Sequence, residues 1–227
     1  MARTVTSWAD YAQRWSALHG GYDPRTAPPL VRGWLRFAYT TGGALVAVGA
    51  GPDQVTVVGL ALSAIVPLVV ALGGGWPFAA ALVVLASVVA DSTDGAVAVI
   101  SGRASRLGHV YDSVADRVSE AFWLLSLVVL GAPAWLVVPC GALAWLHEYV
   151  RARAATAGMR ELGTVTVAER PTRALVTIFA LAVAGLVGLV AGAWAGALVA
   201  VLATVIWSAL GVVGFVQLAR AVRRALT

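Results

Sequence analysis

The stretch Trp76-Pro-Phe-Ala-Ala-Ala-Leu-Val-Val-Leu-Ala-Ser-Val-Val-Ala-Asp91-Ser-Thr-Asp94-Gly95 decides the fold class. Its apolar run continues to about residue 97 and is long enough to cross a bilayer, which takes about 20 apolar residues as a helix. The span ends in two carboxylates. Asp91 and Asp94 stand three apart and share a helix face. Eighteen residues on, Asp112-Ser-Val-Ala-Asp116 repeats the arrangement at a spacing of four, near the start of the next apolar run. Carboxylates beside a bilayer are costly, so four of them in two same-face pairs point to a function.

The rest of the chain fits an integral membrane protein. Of 227 residues 60% are hydrophobic and the mean hydropathy is +0.85, against roughly 45–50% apolar content in soluble domains. Six spans are expected, near residues 55–72, 76–97, 108–130, 132–150, 173–190 and 197–218. Gly- and Pro-bearing breaks without charge separate the first from the second, the third from the fourth, and the fifth from the sixth. The segment 28–50 places Arg32 and Arg36 among apolar residues and is expected to be an interfacial amphipathic helix. The expected fold is all-α: six transmembrane helices and an N-terminal interfacial helix. The expected divisions are an N-terminal segment 1–54, a membrane domain 55–218 and a basic tail 219–227.

Charge orients this layout. The chain has no Lys, and its 16 Arg fall in four groups: before the first span, around the aspartates, between spans four and five, and at the C-terminus. An even number of spans with every cation on one side obeys the positive-inside rule. Both termini and the aspartates are therefore expected at the cytoplasmic face of the cell membrane. The net charge of +5 is read as contact with anionic membrane lipids rather than nucleic acid. The polar start of the chain does not read as a cleavable signal peptide. Cys140, the single cysteine, is expected to be a buried thiol.

An antiparallel hairpin of spans two and three brings Asp91, Asp94, Asp112 and Asp116 together. Four close carboxylates repel unless cations compensate them, and hard oxygen donors suit Mg²⁺ or Mn²⁺. An ion transporter is the competing use of such a cluster. Transport sites lie near the bilayer midplane, whereas these acids sit at span ends.

The whole pattern, Asp91-x2-Asp94-Gly95-x2-Ala98 … Gly108-x3-Asp112-x3-Asp116, resembles the signature of the CDP-alcohol phosphatidyltransferase family. Pro52-Asp53-Gln-Val-Thr56 is similar to the segment that precedes the family's first span. Tyr149 to Gly158 with Glu169-Arg170-Pro-Thr-Arg173 resembles the matching region of the family's phosphatidylinositol-phosphate synthases. One position departs: the family has Arg after the Ala, and this chain has Val99.

The resemblance implies a homodimeric enzyme of phospholipid synthesis. It would move a phosphatidyl group from a CDP-linked lipid, such as CDP-diacylglycerol, to an alcohol and release CMP. It implies metal at the four aspartates, with Asp116 as general base. Gly95, Ala98 and Gly108 would line the donor site, with Asp53 and Thr56 beside it. The family's Arg at the Val99 position contacts the donor diphosphate, and Arg103 or Arg106 is the candidate to replace it; restoring Arg at 99 is expected to be tolerated. Arg151, Arg153, Arg170 and Arg173 suit a phosphorylated acceptor, with inositol phosphate first. Glycerol phosphate, serine or another alcohol remains open, as does a member that binds CDP-lipid without turnover.

Overall fold

The computed structural model describes residues 7–18, 20–159 and 165–227. Those residues form eight helices and no strand: α1 (Trp8–Leu18), α2 (Pro29–Ala47), α3 (Pro52–Val70), α4 (Trp76–Ser101), α5 (Arg106–Leu130), α6 (Ala134–Thr156), α7 (Arg170–Ala191) and α8 (Ala193–Leu226). The protein is all-α and membrane-embedded. α3, α4, α7 and α8 are long and apolar enough to cross a bilayer. α5 and α6 coincide with the other two expected spans but carry more charge, with Asp112, Asp116, Arg117 and Glu120 on the first and Glu148, Arg151 and Arg153 on the second. α8 continues through Arg220, Arg223 and Arg224, so the expected tail is helical to Leu226.

The chain divides into two compact units, Met1–Ala61 with Ala86–Asp116, and Leu62–Leu85 with Arg117–Thr227. The first holds α1, α2, the start of α3, the end of α4 and the start of α5. α2 lies along α4 through small residues: a Cβ on Gly42 would stand 3.0 Å from the Ala96 Cβ. Polar pairs fix the register. Trp34 Nε1 donates to Ser92 Oγ at 3.0 Å, and the hydroxyls of Thr41 and Thr93 are 3.2 Å apart. α3 approaches α4 at Gly59, whose Cβ would lie 3.3 Å from the Ala90 Cβ.

α1 was not expected. Only three of its residues are aromatic, and an isolated 11-residue helix is marginal in water, so packing must hold it. Tyr11 and Ala12 are buried. Tyr11 joins Ala38, Ala96, Val99 and Ile100 in one cluster, with Trp8, Trp15, Tyr39 and Val46 against it. The rings of Tyr11 and Tyr39 lie 5.1 Å apart, and the Arg36 guanidinium sits 5.4 Å over the Trp8 ring. Burial pushes the Tyr11 hydroxyl above the usual phenol range.

In the second unit α8 packs along α6 and α7. The buried positions of α7, Arg173, Ala174, Thr177, Ala180, Leu181, Ala184 and Gly185, recur at three and four and form one stripe of mostly small side chains. Small residues let helices in lipid approach closely. A Cβ on Gly185 would collide with the Phe78 backbone, and one on Gly214 with Ala168. Trp123, Leu127 and Trp207 fill the interior, and Cys140 is buried as expected.

Candidate active site

α4 ends at Ser101 and α5 starts at Arg106, so the helices are joined by a turn of four residues. Gly102 takes φ +67°, a left-handed conformation that closes the helix, and the Arg103 amide then reaches back to the Ala98 carbonyl at 2.9 Å. The tight reversal juxtaposes the two motif halves. Asp91, Asp112 and Asp116 each present a carboxylate oxygen, and these oxygens lie within 4.8 Å of one another. All three side chains are half-buried.

Asp94 is placed differently. It is buried, it stands outside that trio, and its Oδ2 accepts a 2.6 Å hydrogen bond from Thr56 Oγ1. Thr56 was expected beside the donor. In the structure it ties α3 to an acid on α4.

The trio suits a hard divalent cation. Three convergent carboxylates supply anionic oxygen donors of the kind Mg²⁺ and Mn²⁺ take, and their mutual repulsion falls when a cation lies among them. Gly95 adds space, since a Cβ there would meet nothing within 4 Å. A Cβ on Gly108 would press on Ser105 Oγ at 3.1 Å, the same hydroxyl that accepts from the Gly108 amide. Ala98 is half-buried. Arg103 and Asp53 are exposed, and the Arg103 guanidinium lies along Gly51, 3.4 Å from where a Cβ would be.

Val99 is 4% exposed inside the aromatic cluster. The position that the family signature gives to Arg is here a packing position under α1. That burial runs against the expectation that Arg would be tolerated there.

The arginines of the second unit are drawn into a network with acids. Arg173 is 3% exposed; its Nε lies 3.1 Å from Glu120 Oε1, and its Nη2 donates to Glu148 Oε1 at 2.8 Å. Arg117 bridges the same acids, at 3.3 Å to Glu120 and 3.1 Å to Glu148. Arg151 donates to Glu169 Oε1 at 2.5 Å, and its Nε lies 3.9 Å from Glu148 Oε2. Arg170 rests 5.5 Å over the Trp123 ring. Arg153, in the last turn of α6, is exposed. The structure thus brings Arg151 and Arg173 to a shared acid, holds Arg170 on an aromatic face and leaves Arg153 toward the surface.

Glu120 and Glu148 were not singled out as site residues from sequence, although Glu148 stands three before Arg151 on one helix face. His147 is buried and pairs with Thr166 Oγ1 at 3.2 Å, and Thr166 in turn donates to Glu169 Oε1 at 2.9 Å. That chain secures the segment leading into α7, whose Val167 amide also donates to Gln217 at 3.0 Å.

The chain is similar to known proteins. A phosphatidylinositol phosphate synthase of Mycobacterium marinum is 34% identical over 161 residues, covering 68% of this chain and 63% of its own length. One from Cutibacterium acnes is 30% identical over 161 residues, covering 68% and 76%. The chain therefore spans less than two thirds of the M. marinum relative. Among solved structures, the Mycobacterium tuberculosis phosphatidylinositol phosphate synthase with CDP-DAG bound aligns at TM-score 0.58 and 28% identity, over 82% of this chain and 94% of that one. The same enzyme in complex with manganese and citrate aligns at TM-score 0.63 and 27% identity, over 82% and 88%. The profile of one family spans residues 50–214, from the turn before α3 into α8, and takes in both motif halves and the arginine network. The chain belongs to the CDP-alcohol phosphatidyltransferase family.

Proposed function

We propose that this protein transfers a phosphatidyl group from a CDP-linked lipid, CDP-diacylglycerol first, to an alcohol acceptor, with inositol phosphate the leading candidate. The observation that carries the reading is the convergence of Asp91, Asp112 and Asp116 on the α4–α5 hairpin, within the span matched by the family. Three relatives named phosphatidylinositol phosphate synthase, at 30–34% identity, support the acceptor. So does the convergence of Arg151 and Arg173, whose forked donors suit phosphate.

In this reading Asp91, Asp112 and Asp116 hold a divalent cation, with Asp94 anchored beside them by Thr56. When bound, the cation supplies positive charge to the donor diphosphate and to departing CMP. Asp116 takes the proton of the acceptor hydroxyl as that oxygen attacks the lipid-side phosphorus. The new phosphorus–oxygen bond forms as the bond to the CMP oxygen breaks. Gly95, Ala98 and Gly108 keep the donor side of the hairpin open. Arg151 and Arg173 orient the acceptor, and Arg153 and Arg170 contribute charge.

The same reading takes α5 and α6 as the third and fourth of six spans, α2 as an interfacial helix, and the arginine-bearing ends as cytoplasmic. The family resemblance adds a homodimer. The test is transfer by the purified chain in lipid nanodiscs, with CDP-diacylglycerol, Mg²⁺ or Mn²⁺, and a panel of acceptors. CMP release with formation of phosphatidylinositol phosphate is expected. Absence of CMP release with every acceptor would sink the proposal.

A further inference from the structure

Glu148 sits where the arginines of the second unit converge. Its Oε1 receives Arg173 Nη2 at 2.8 Å and lies 3.1 Å from Arg117 Nη1, and its Oε2 lies 3.9 Å from Arg151 Nε. One carboxylate therefore spreads its two oxygens over three guanidinium groups. A phosphate monoester bound to forked arginines distributes its oxygens in the same way.

The two acids on Arg173 are not equivalent. Glu120 lies on α5 with no exposed side-chain surface and cannot move out without unpacking the helix. Glu148 retains 26% of its side-chain surface and has solvent to retreat into. Arg173, almost wholly buried, also keeps its Nη1 without a hydrogen-bond partner. A buried donor left unused is costly, and a ligand that supplies more acceptor oxygens than a carboxylate relieves it.

We propose that Glu148 is an internal counter-anion that occupies, before the acceptor arrives, the place taken by the acceptor's phosphate, and so sets how tightly phosphorylated acceptors bind. The proposal rests on the reading of Arg151 and Arg173 as acceptor ligands. A phosphate carrying about two negative charges at neutral pH displaces the single charge of Glu148. A neutral polyol has no charge with which to do so, so the same carboxylate disfavours unphosphorylated alcohols at these arginines.

The test is titration of inorganic phosphate into the full chain in nanodiscs, comparing wild type with Glu148→Gln by calorimetry. The variant is expected to bind phosphate about tenfold more tightly, the scale of removing one competing charge at close range. Its KM for the phosphorylated acceptor should fall in parallel while the KM for CDP-lipid stays. Equal or weaker phosphate binding overturns the proposal. If Glu148→Gln does not fold, Glu148→Ser carries the same comparison, because Glu120 still holds Arg173. Tighter phosphate binding in a chain that uses no phosphorylated acceptor would overturn the acceptor reading alone. Normal transfer to inositol phosphate with no gain in phosphate affinity would overturn the role of Glu148 alone.

Discussion

The hydroxyl of Thr56 donates to Asp94 Oδ2 at 2.6 Å, across 38 residues of sequence. That bond links α3 to the helix carrying the first half of the motif and sets the buried carboxylate beside the trio. Thr56→Val removes the donor at nearly constant volume. Transfer should fall by about tenfold, the scale of one hydrogen bond to a charged group, while Thr56→Ser keeps most of it. A kcat/KM series for the three chains decides this, and equal rates for Val and wild type would remove the bond from the site.

A divalent cation at the trio, as proposed, would make transfer metal-dependent. Chelation should stop transfer, and Mn²⁺ should restore it. Asp91→Ala leaves two of the three convergent carboxylates, so it should weaken Mn²⁺ binding as titrated by electron paramagnetic resonance. An unchanged Mn²⁺ titration would place the ion elsewhere.

Asp116→Asn keeps shape and removes the proposed base. Loss of turnover by about a thousandfold is expected, within the span of general-base contributions, with binding of CDP-lipid largely retained. Near-normal turnover would move the base to another group.

Val99→Arg restores the family signature at the expense of the fold. The position lies under Tyr11 and between Ala96 and Ile100. Inserting a guanidinium there should destabilise the chain by about 3 kcal/mol through overpacking. Thermal unfolding followed by tryptophan emission reads this directly. An undiminished midpoint with tighter donor binding would show that Arg reaches the donor from this position.

Gly214→Ala drives a methyl into Ala168. Ala168 precedes Glu169, which holds Arg151 at 2.5 Å. A loss of about 1–3 kcal/mol is expected from overpacking, with a raised KM for the acceptor and an unchanged KM for the CDP-lipid. Equal rises in both would argue for general loosening.

The hairpin of α4 and α5 was legible because carboxylates at helical spacing stand out against apolar sequence. Asp91, Asp112 and Asp116 meet as that spacing implied. Asp94 lies beside them with its Oδ2 bonded to a threonine on another helix, and no local pattern announces such a pair. The four helices long and apolar enough to cross a bilayer followed from apolar length, while α1 escaped because its stability comes from Tyr39, Ala38 and Val99 rather than from its own 11 residues. The arginines were visible as a set. Their occupation by Glu120 and Glu148 was not, since it depends on how α5, α6 and α7 meet.

The cluster around Val99 also bears on where the chain can be cut. The family match starts at residue 50, yet Tyr11 and Ala38 cover the back of the helix that bears Asp91 and Asp94. A fragment trimmed to the matched span would keep all four aspartates and strip the apolar cover from behind them. Expression boundaries chosen by homology alone would then yield a protein with intact chemistry on an unsupported helix. A fragment that keeps this cover starts ahead of Trp8.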